Sequence, residues 1–174
     1  MAAATAHTKW PDVGDVPQWL KSWLDKYFRL ADTQGDEASN REFATQFAEN
    51  GVQHGLGAPL QGREGMTLCS MSVLQSEAEQ KTLAKAIAKS RPGGWKHLDW
   101  RKHEVVQVFT ARKDYSDVLM QGKITAIFKN KQELSAEFTA QIVFEDVSAA
   151  EPKALLYKTW ADTAPWVKAM EANK

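Results

Sequence analysis

The sequence predicts an α+β fold in which helices come first and a curved antiparallel sheet follows. Three observations predict it. Before residue 50 apolar side chains recur every three or four positions, and beyond residue 97 they alternate with polar ones. No internal repeat or low-complexity linker divides the 174 residues, a length suited to one domain. Helices followed by a meander must cover one face of its sheet. A sheet of this kind can close as a cone around an apolar pocket, with the helices packed on its concave face. The expected organisation is a flexible N-terminal segment over 1–15 and a single domain over 16–174.

Each element has its own justification. Residues 1–15 are rich in Ala, Thr, Gly and Asp and are expected to be loose. Pro17 suits a first helical turn. Val16, Leu20, Trp23, Leu24, Tyr27, Leu30 and Ala31 then share one helical face, which predicts a helix over 16–32. Thr33-Gln34-Gly35-Asp36 ends it. Ser39 or Asn40 can cap a second helix with apolar positions Phe43, Phe47 and Ala48, stopped by Asn50-Gly51. Val52-Gln53-His54 reads as a brief strand leading into the Gly/Pro turn of 55–59. A third helical region is clearest over 76–90, with Leu83, Ala86 and Ile87 opposite a mixed-charge face, and Arg91-Pro92-Gly93-Gly94 breaks it.

From there the period changes to two. A strand is expected over 97–110, with Val106 and Val108 on the face opposite Val105, Gln107 and Phe109. Over 117–128, Val118, Met120, Gly122, Ile124, Ala126 and Phe128 form one stripe and Asp117, Gln121, Lys123 and Thr125 the other. Over 133–145, Leu134, Ala136, Phe138, Ala140, Ile142 and Phe144 alternate with polar neighbours, the pattern of a strand with one buried face. A last strand over 153–161 precedes a short helix over 165–172 opened by Pro165.

Composition narrows the function. Lys and Arg number 22 and Asp and Glu number 22, so the chain has no net charge and lacks the cationic excess that polyanion binding requires. Seven tryptophans among 43% apolar residues point to large buried surfaces or a lined cavity. Cys69 is the single cysteine, which rules out an internal disulfide and a Cys-based zinc site. His7, His54, His97 and His103 have no metal-ligand spacing. There is no P-loop, dinucleotide fingerprint or nucleophile elbow. The expectation is therefore chemistry without cofactor or metal, or none, with no nucleic-acid or membrane partner. With no signal-peptide pattern and no long apolar run, a soluble cytoplasmic protein is expected.

Three stretches resemble the nuclear transport factor 2-like superfamily, which includes ketosteroid isomerase, scytalone dehydratase and the SnoaL-type polyketide cyclases. Residues 26–36, Lys-Tyr-Phe-Arg-Leu-Ala-Asp-Thr-Gln-Gly-Asp, are similar to the family's aromatic helix ending in a Gly-Asp turn. Residues 47–55, Phe-Ala-Glu-Asn-Gly-Val-Gln-His-Gly, followed by Gly62-Arg63-Glu64-Gly65-Met66, resemble its passage through a short strand into a new helix. Residues 157–166, Tyr-Lys-Thr-Trp-Ala-Asp-Thr-Ala-Pro-Trp, resemble the last strand and end of fungal SnoaL-like proteins. The resemblance spans about residues 16–170 and speaks to fold more than to activity.

The resemblance implies roles at particular positions. Ketosteroid isomerase donates a hydrogen bond to the developing oxyanion from a first-helix tyrosine, and Tyr27 matches it. Its general base is an Asp on the short first strand, and His54 stands at that place. Scytalone dehydratase also uses histidine for acid–base work, from other positions. The isomerase's second oxyanion donor falls near Ala140, a departure that argues against steroid-type isomerisation. Histidine suits the role of base because its ordinary pKa of about 6.5 lets it take or give a proton near neutrality. Tyr27, with a reference pKa near 10, would act as a donor.

His103, Gln107, Met120, Phe138, Trp23, Trp160 and Arg63 are the expected substrate-binding residues. Structural alternatives stand beside these roles: Tyr27 as a core aromatic, His54 as a strand-end histidine bonded to backbone, Arg63 as a surface residue. The resemblance implies an isomerase, cyclase or dehydratase acting on a hydrophobic carbonyl compound such as a polyketide or terpenoid intermediate, of the kind found in secondary metabolism. The alternative is a non-catalytic ligand-binding or protein-interaction module of the same fold. The polar stripe carrying Lys123, Glu137 and Gln141 is the expected outer face of the sheet, through which a homodimer would form.

Overall fold

A computed structural model describes residues 2–54 and 94–173. Arg63, Cys69, the Gly/Pro turn and the helix expected over 76–90 lie outside the described residues. Helix α1 (Gln18–Ala31) starts after Pro17, whose extended backbone leads the chain into the first turn. Its buried face is the expected one with Phe28 added, while Val16 lies before the helix and packs half-buried against the core. Helix α2 (Glu37–Ala44) is capped by Asp36 rather than by Ser39 or Asn40: the Ser39 N–H donates to Asp36 Oδ1 at 2.9 Å. A carboxylate there satisfies an orphan N–H and faces the positive end of the helix dipole. Phe47 and Ala48, read as helical positions, instead open strand β1 (Phe47–His54).

Strands β2 (Leu98–Phe109), β3 (Asp117–Phe128), β4 (Glu133–Phe144) and β5 (Ala154–Trp160) form the expected antiparallel meander. Strand β1 joins the far side of β5 in parallel, giving the order β1-β5-β4-β3-β2. The curved sheet is therefore mixed rather than wholly antiparallel. The register of β1 shifts between Phe47 and Val52, and Gly51 lies in that shift. A Cβ on Gly51 would sit 2.5 Å from the Ala154 carbonyl oxygen, so the close approach of the two strands depends on its bare backbone.

A second difference lies in β2. The register also shifts between Val105 and Gln107. An extra residue reverses the alternation, because side chains change face at every step. Val105 and Val108 are consequently both buried, opposite Gly122 and Met120, while Phe109 is 38% exposed beside Leu119. Gln107 pairs with Gln121, on the outer side of the sheet.

Helix α1 covers the inner face, burying Val105, Val118, Met120, Ala140, Ile142 and Phe144 in one core. Helix α3 (Ala164–Glu171) closes a smaller cluster of Trp95, Leu98, Ala126, Phe128 and Ala169, with Trp166 packed against it. The tryptophans thus divide: Trp23 and Trp95 are buried, whereas Trp100 and Trp160 are 37% and 45% exposed.

The N-terminal residues, expected to be loose, make specific contacts along the edge of β2 that no other described strand pairs. Lys9 N–H donates to Val106 O at 2.9 Å and Val108 N–H donates to Lys9 O at 3.0 Å, while Val105 N–H donates to Ala4 O at 2.9 Å. Thr5 N–H donates to Asp25 Oδ1 at 2.9 Å, and Lys21 Nζ lies over the Trp10 ring. An open strand edge is a template for unwanted pairing, and this segment occupies it.

Candidate active site

The inner face of β2 carries Arg101, His103 and Val105 at alternate positions, and the C-terminal end of α1 lies over it. Asp32 is the C-cap residue of α1. Its Oδ2 accepts from the backbone N–H of His103 at 2.7 Å, and its Oδ1 is hydrogen-bonded to the ring Nδ1 of the same residue. A carboxylate only accepts, so Nδ1 carries the proton and Nε2 is the basic atom of the neutral ring. Both side chains are largely shielded, at 14% exposure for His103 and 7% for Asp32. The imidazole stacks on Phe28 at 5.0 Å and meets Phe138 edge-on at 5.7 Å. Burial in this wall holds His103 below its ordinary pKa, with the hydrogen bond and charge of Asp32 opposing and the charge of Arg101 assisting.

Asp32 is poorly placed for helix stability. It sits where the dipole is negative, a position that favours cations. Arg101 supplies the cation: Nε donates to Ala31 O at 3.1 Å, Nη2 bonds the same oxygen, and Nε lies 3.8 Å from Asp32 Oδ1.

One turn back on α1, Tyr27 heads a second polar group. Gln53 Nε2 donates to the Tyr27 hydroxyl at 3.2 Å. The rings of Tyr27 and Tyr157 lie 4.7 Å apart, and Trp23 stacks on Tyr27 at 5.0 Å. Burial pushes the Tyr157 hydroxyl up to about 12, against hydrogen bonds with Thr159 and Tyr27, and the charge of Asp32 adds to the rise.

The expected site residues are distributed as follows. Tyr27, Trp23, His103 and Phe138 all lie in this interior. Met120 is fully buried in the main core. His54, the expected base, is not brought to Tyr27: Gln53 reaches the hydroxyl, and strand alternation puts His54 on the other face of β1, level with Lys158. Gln107 is on the outer side of β2. Trp160 lines an open groove of about 430 Å³ on the outer face, with Val106, Gln121, Glu137 and Thr139. Arg63 lies outside the described residues.

Sequence reasoning passed over Asp32, Arg101, Gln53 and Tyr157. Asp32 carried the clearest signal, since an acidic residue closing a helix runs against the dipole and calls for a cationic or hydrogen-bonding partner.

No protein-family model matches the chain, and no curated protein matches it significantly. Solved structures do. A protein from Bacillus cereus ATCC 10987 provisionally described as a polyketide cyclase matches with a TM-score of 0.59 at 10% identity, over 97% of this chain and 90% of that one. A protein from Jannaschia sp. CCS1 provisionally described as a SnoaL-like polyketide cyclase matches with a TM-score of 0.58 at 10% identity, over 94% and 99%. An NTF2-like protein of unknown function from Exiguobacterium sp. 255-15 matches with a TM-score of 0.55 at 13% identity, over 80% and 98%. The chain has the NTF2-like, SnoaL-like α+β fold.

Proposed function

We propose that this protein is a cofactor-independent acid–base enzyme that moves a proton on a hydrophobic carbonyl compound, with His103 as the proton carrier. The observation that carries the reading is the buried Asp32–His103 pair set in an aromatic wall. In the forward step His103 Nε2 removes a proton from the carbon next to the carbonyl, and the C–H electron pair becomes the enolate. Asp32 holds the ring orientation and stabilises the imidazolium that forms. The Tyr27 hydroxyl donates to the enolate oxygen, which takes the place of one of the hydroxyl's present partners. The imidazolium then returns its proton to a different carbon in an isomerisation, to a departing hydroxyl in a dehydration, or, in a cyclisation, to the alkoxide formed when the enolate carbon adds to a second carbonyl.

The provisional names of the two matched proteins favour a polyketide-like substrate, and the aromatic side chains packed beside Tyr27 and His103 (Trp23, Phe28, Phe138 and Tyr157) favour an apolar ring compound. The outer sheet face, where Phe109, Leu119 and Trp160 stay exposed, is the surface through which we propose two copies pair.

The test is exchange of the α-hydrogens of β-tetralone, a hydrophobic ketone, in deuterium oxide, followed by proton NMR. The protein is expected to accelerate exchange, and His103→Gln to lower that acceleration by roughly 10²–10⁴-fold. His54→Ala separates the two histidines. Loss in that variant with full activity in His103→Gln would return the role of base to His54.

A further inference from the structure

We propose that Arg101 is the positioning residue of the Asp32–His103 pair, clamping the end of α1 to β2 so that the carboxylate meets the imidazole. The inference rests on the reading of His103 as proton carrier and adds the residue that sets its geometry.

Asp32 and His103 belong to different elements, 71 positions apart in the chain. Their contact therefore depends on how the last turn of α1 is held against the sheet. Helix ends fray, because their final carbonyls have no intrahelical partner. Arg101 acts on this end of the helix. Two of its nitrogens, Nε and Nη2, bond one carbonyl, that of Ala31, the residue before Asp32. The guanidinium plane is itself fixed, with Cζ 4.5 Å from the centre of the buried Trp95 ring. Strand spacing then places His103 two residues further along the same face.

The geometry forms a short rigid circuit. It runs from Ala31 O to the guanidinium, along β2 to His103, across to the Asp32 carboxylate and back through the backbone to Ala31. Lysine could not reproduce it, having one compact ammonium where arginine offers a planar fork that also stacks. The charged groups acting on His103 are Asp32 from α1 and Arg101 from β2.

Positioning and simple through-space charge make opposite predictions when the guanidinium is removed. Charge alone would let His103 bind its proton more readily, with its bond to Asp32 intact. Loss of positioning would break that bond. The readout is the proton on His103 Nδ1, observed by NMR in the free protein without substrate and assigned by its disappearance in Asp32→Ala, which removes the acceptor. We expect a protected Nδ1 proton in the wild type, a proton exchanging at least tenfold faster in Arg101→Lys, and no observable proton in Arg101→Gln.

Backbone amide spectra show whether each variant is folded. If Arg101→Gln does not fold, Arg101→Lys decides the matter, since it keeps the charge and loses the fork. An unchanged Nδ1 proton in a folded Arg101→Gln, or in Arg101→Lys, overturns the proposal. Because no turnover is measured, failure of the ketone-exchange test and failure of this one are separate results.

Discussion

The carboxylate of Asp32 engages His103 twice, accepting from its backbone N–H at 2.7 Å through Oδ2 and from its ring Nδ1 through Oδ1. The first bond fixes the carboxylate against β2 and the second fixes the tautomer of the ring. Together they leave Nε2 as the one basic nitrogen of a histidine shielded by Phe28 and Phe138. A buried imidazole with an ordered partner is what proton transfer requires, and the fold builds it from one helix end and one strand.

The depressed pKa of His103 makes a prediction about stability. Burial is its main cause, and it favours the neutral ring in the folded chain. The unfolded chain therefore binds a proton at a pH where the folded chain does not. Stability from this residue is present above the ordinary value of 6.5 and is lost as pH falls through the lower folded value. His103→Gln removes this term. Between about pH 7 and pH 5, Tm should fall less steeply in the variant than in the wild type, as checked by thermal denaturation at each pH.

Much of this was legible in the sequence, for physical reasons. The alternation over 117–128 and 133–145 survives in β3 and β4 because each has one face against the core and no register shift between them. The stripe of α1 survives because burial selects its spacing. Tyr27 and His103 could be marked as interior by the same logic. What failed depended on backbone irregularity or on distance along the chain. The register shift in β2 turned Gln107 outward, while in β1 ordinary alternation sets Gln53, on the same face as Phe47, toward Tyr27 and His54 away from it. The partnership of Asp32 with His103 spans two elements, and no periodicity encodes it.

Tyr27 makes a separable prediction. Its hydroxyl lies between Gln53 and Tyr157, so Tyr27→Phe removes the proposed donor to the oxyanion while keeping the stacked ring under Trp23. Loss of one such donor costs roughly 10²–10³-fold in turnover. In β-tetralone exchange the variant should lose rate by about that factor and keep the same lower limb of the pH profile, since that limb belongs to His103. A shifted limb would mean that Tyr27 acts on the base rather than on the substrate.

Gly122 controls where Phe138 lies. The two are cross-strand partners, and a Cβ on Gly122 would come 2.6 Å from Phe138 Cε1. The far end of the ring therefore occupies the space a side chain at position 122 would take, and from there it meets His103 edge-on. Gly122→Ala should force the ring to move and destabilise the fold by about 1–3 kcal/mol, as overpacking does. Urea denaturation measures the loss. In Gly122→Ala/Phe138→Leu the flexible smaller side chain should recover part of it, whereas additive losses would show that the two positions do not compete for space.

The N-terminal segment supplies the last prediction. Three backbone hydrogen bonds tie Ala4 and Lys9 to the edge of β2, and Thr8 Oγ1 adds a fourth to Val105 O at 2.7 Å. This stretch of β2 contains the register shift and follows directly on His103. Removal of residues 2–12 would leave the N–H groups of Val105 and Val108 without these partners and open the edge to other chains. The truncated protein should lose several degrees of Tm and show concentration-dependent association by light scattering. Its His103 Nδ1 proton should persist, because Asp32 and Arg101 hold the ring from α1 and from a position before His103, while the lost contacts begin at Val105. Unchanged Tm and a monodisperse truncated protein would show instead that the segment rests on the edge without stabilising it.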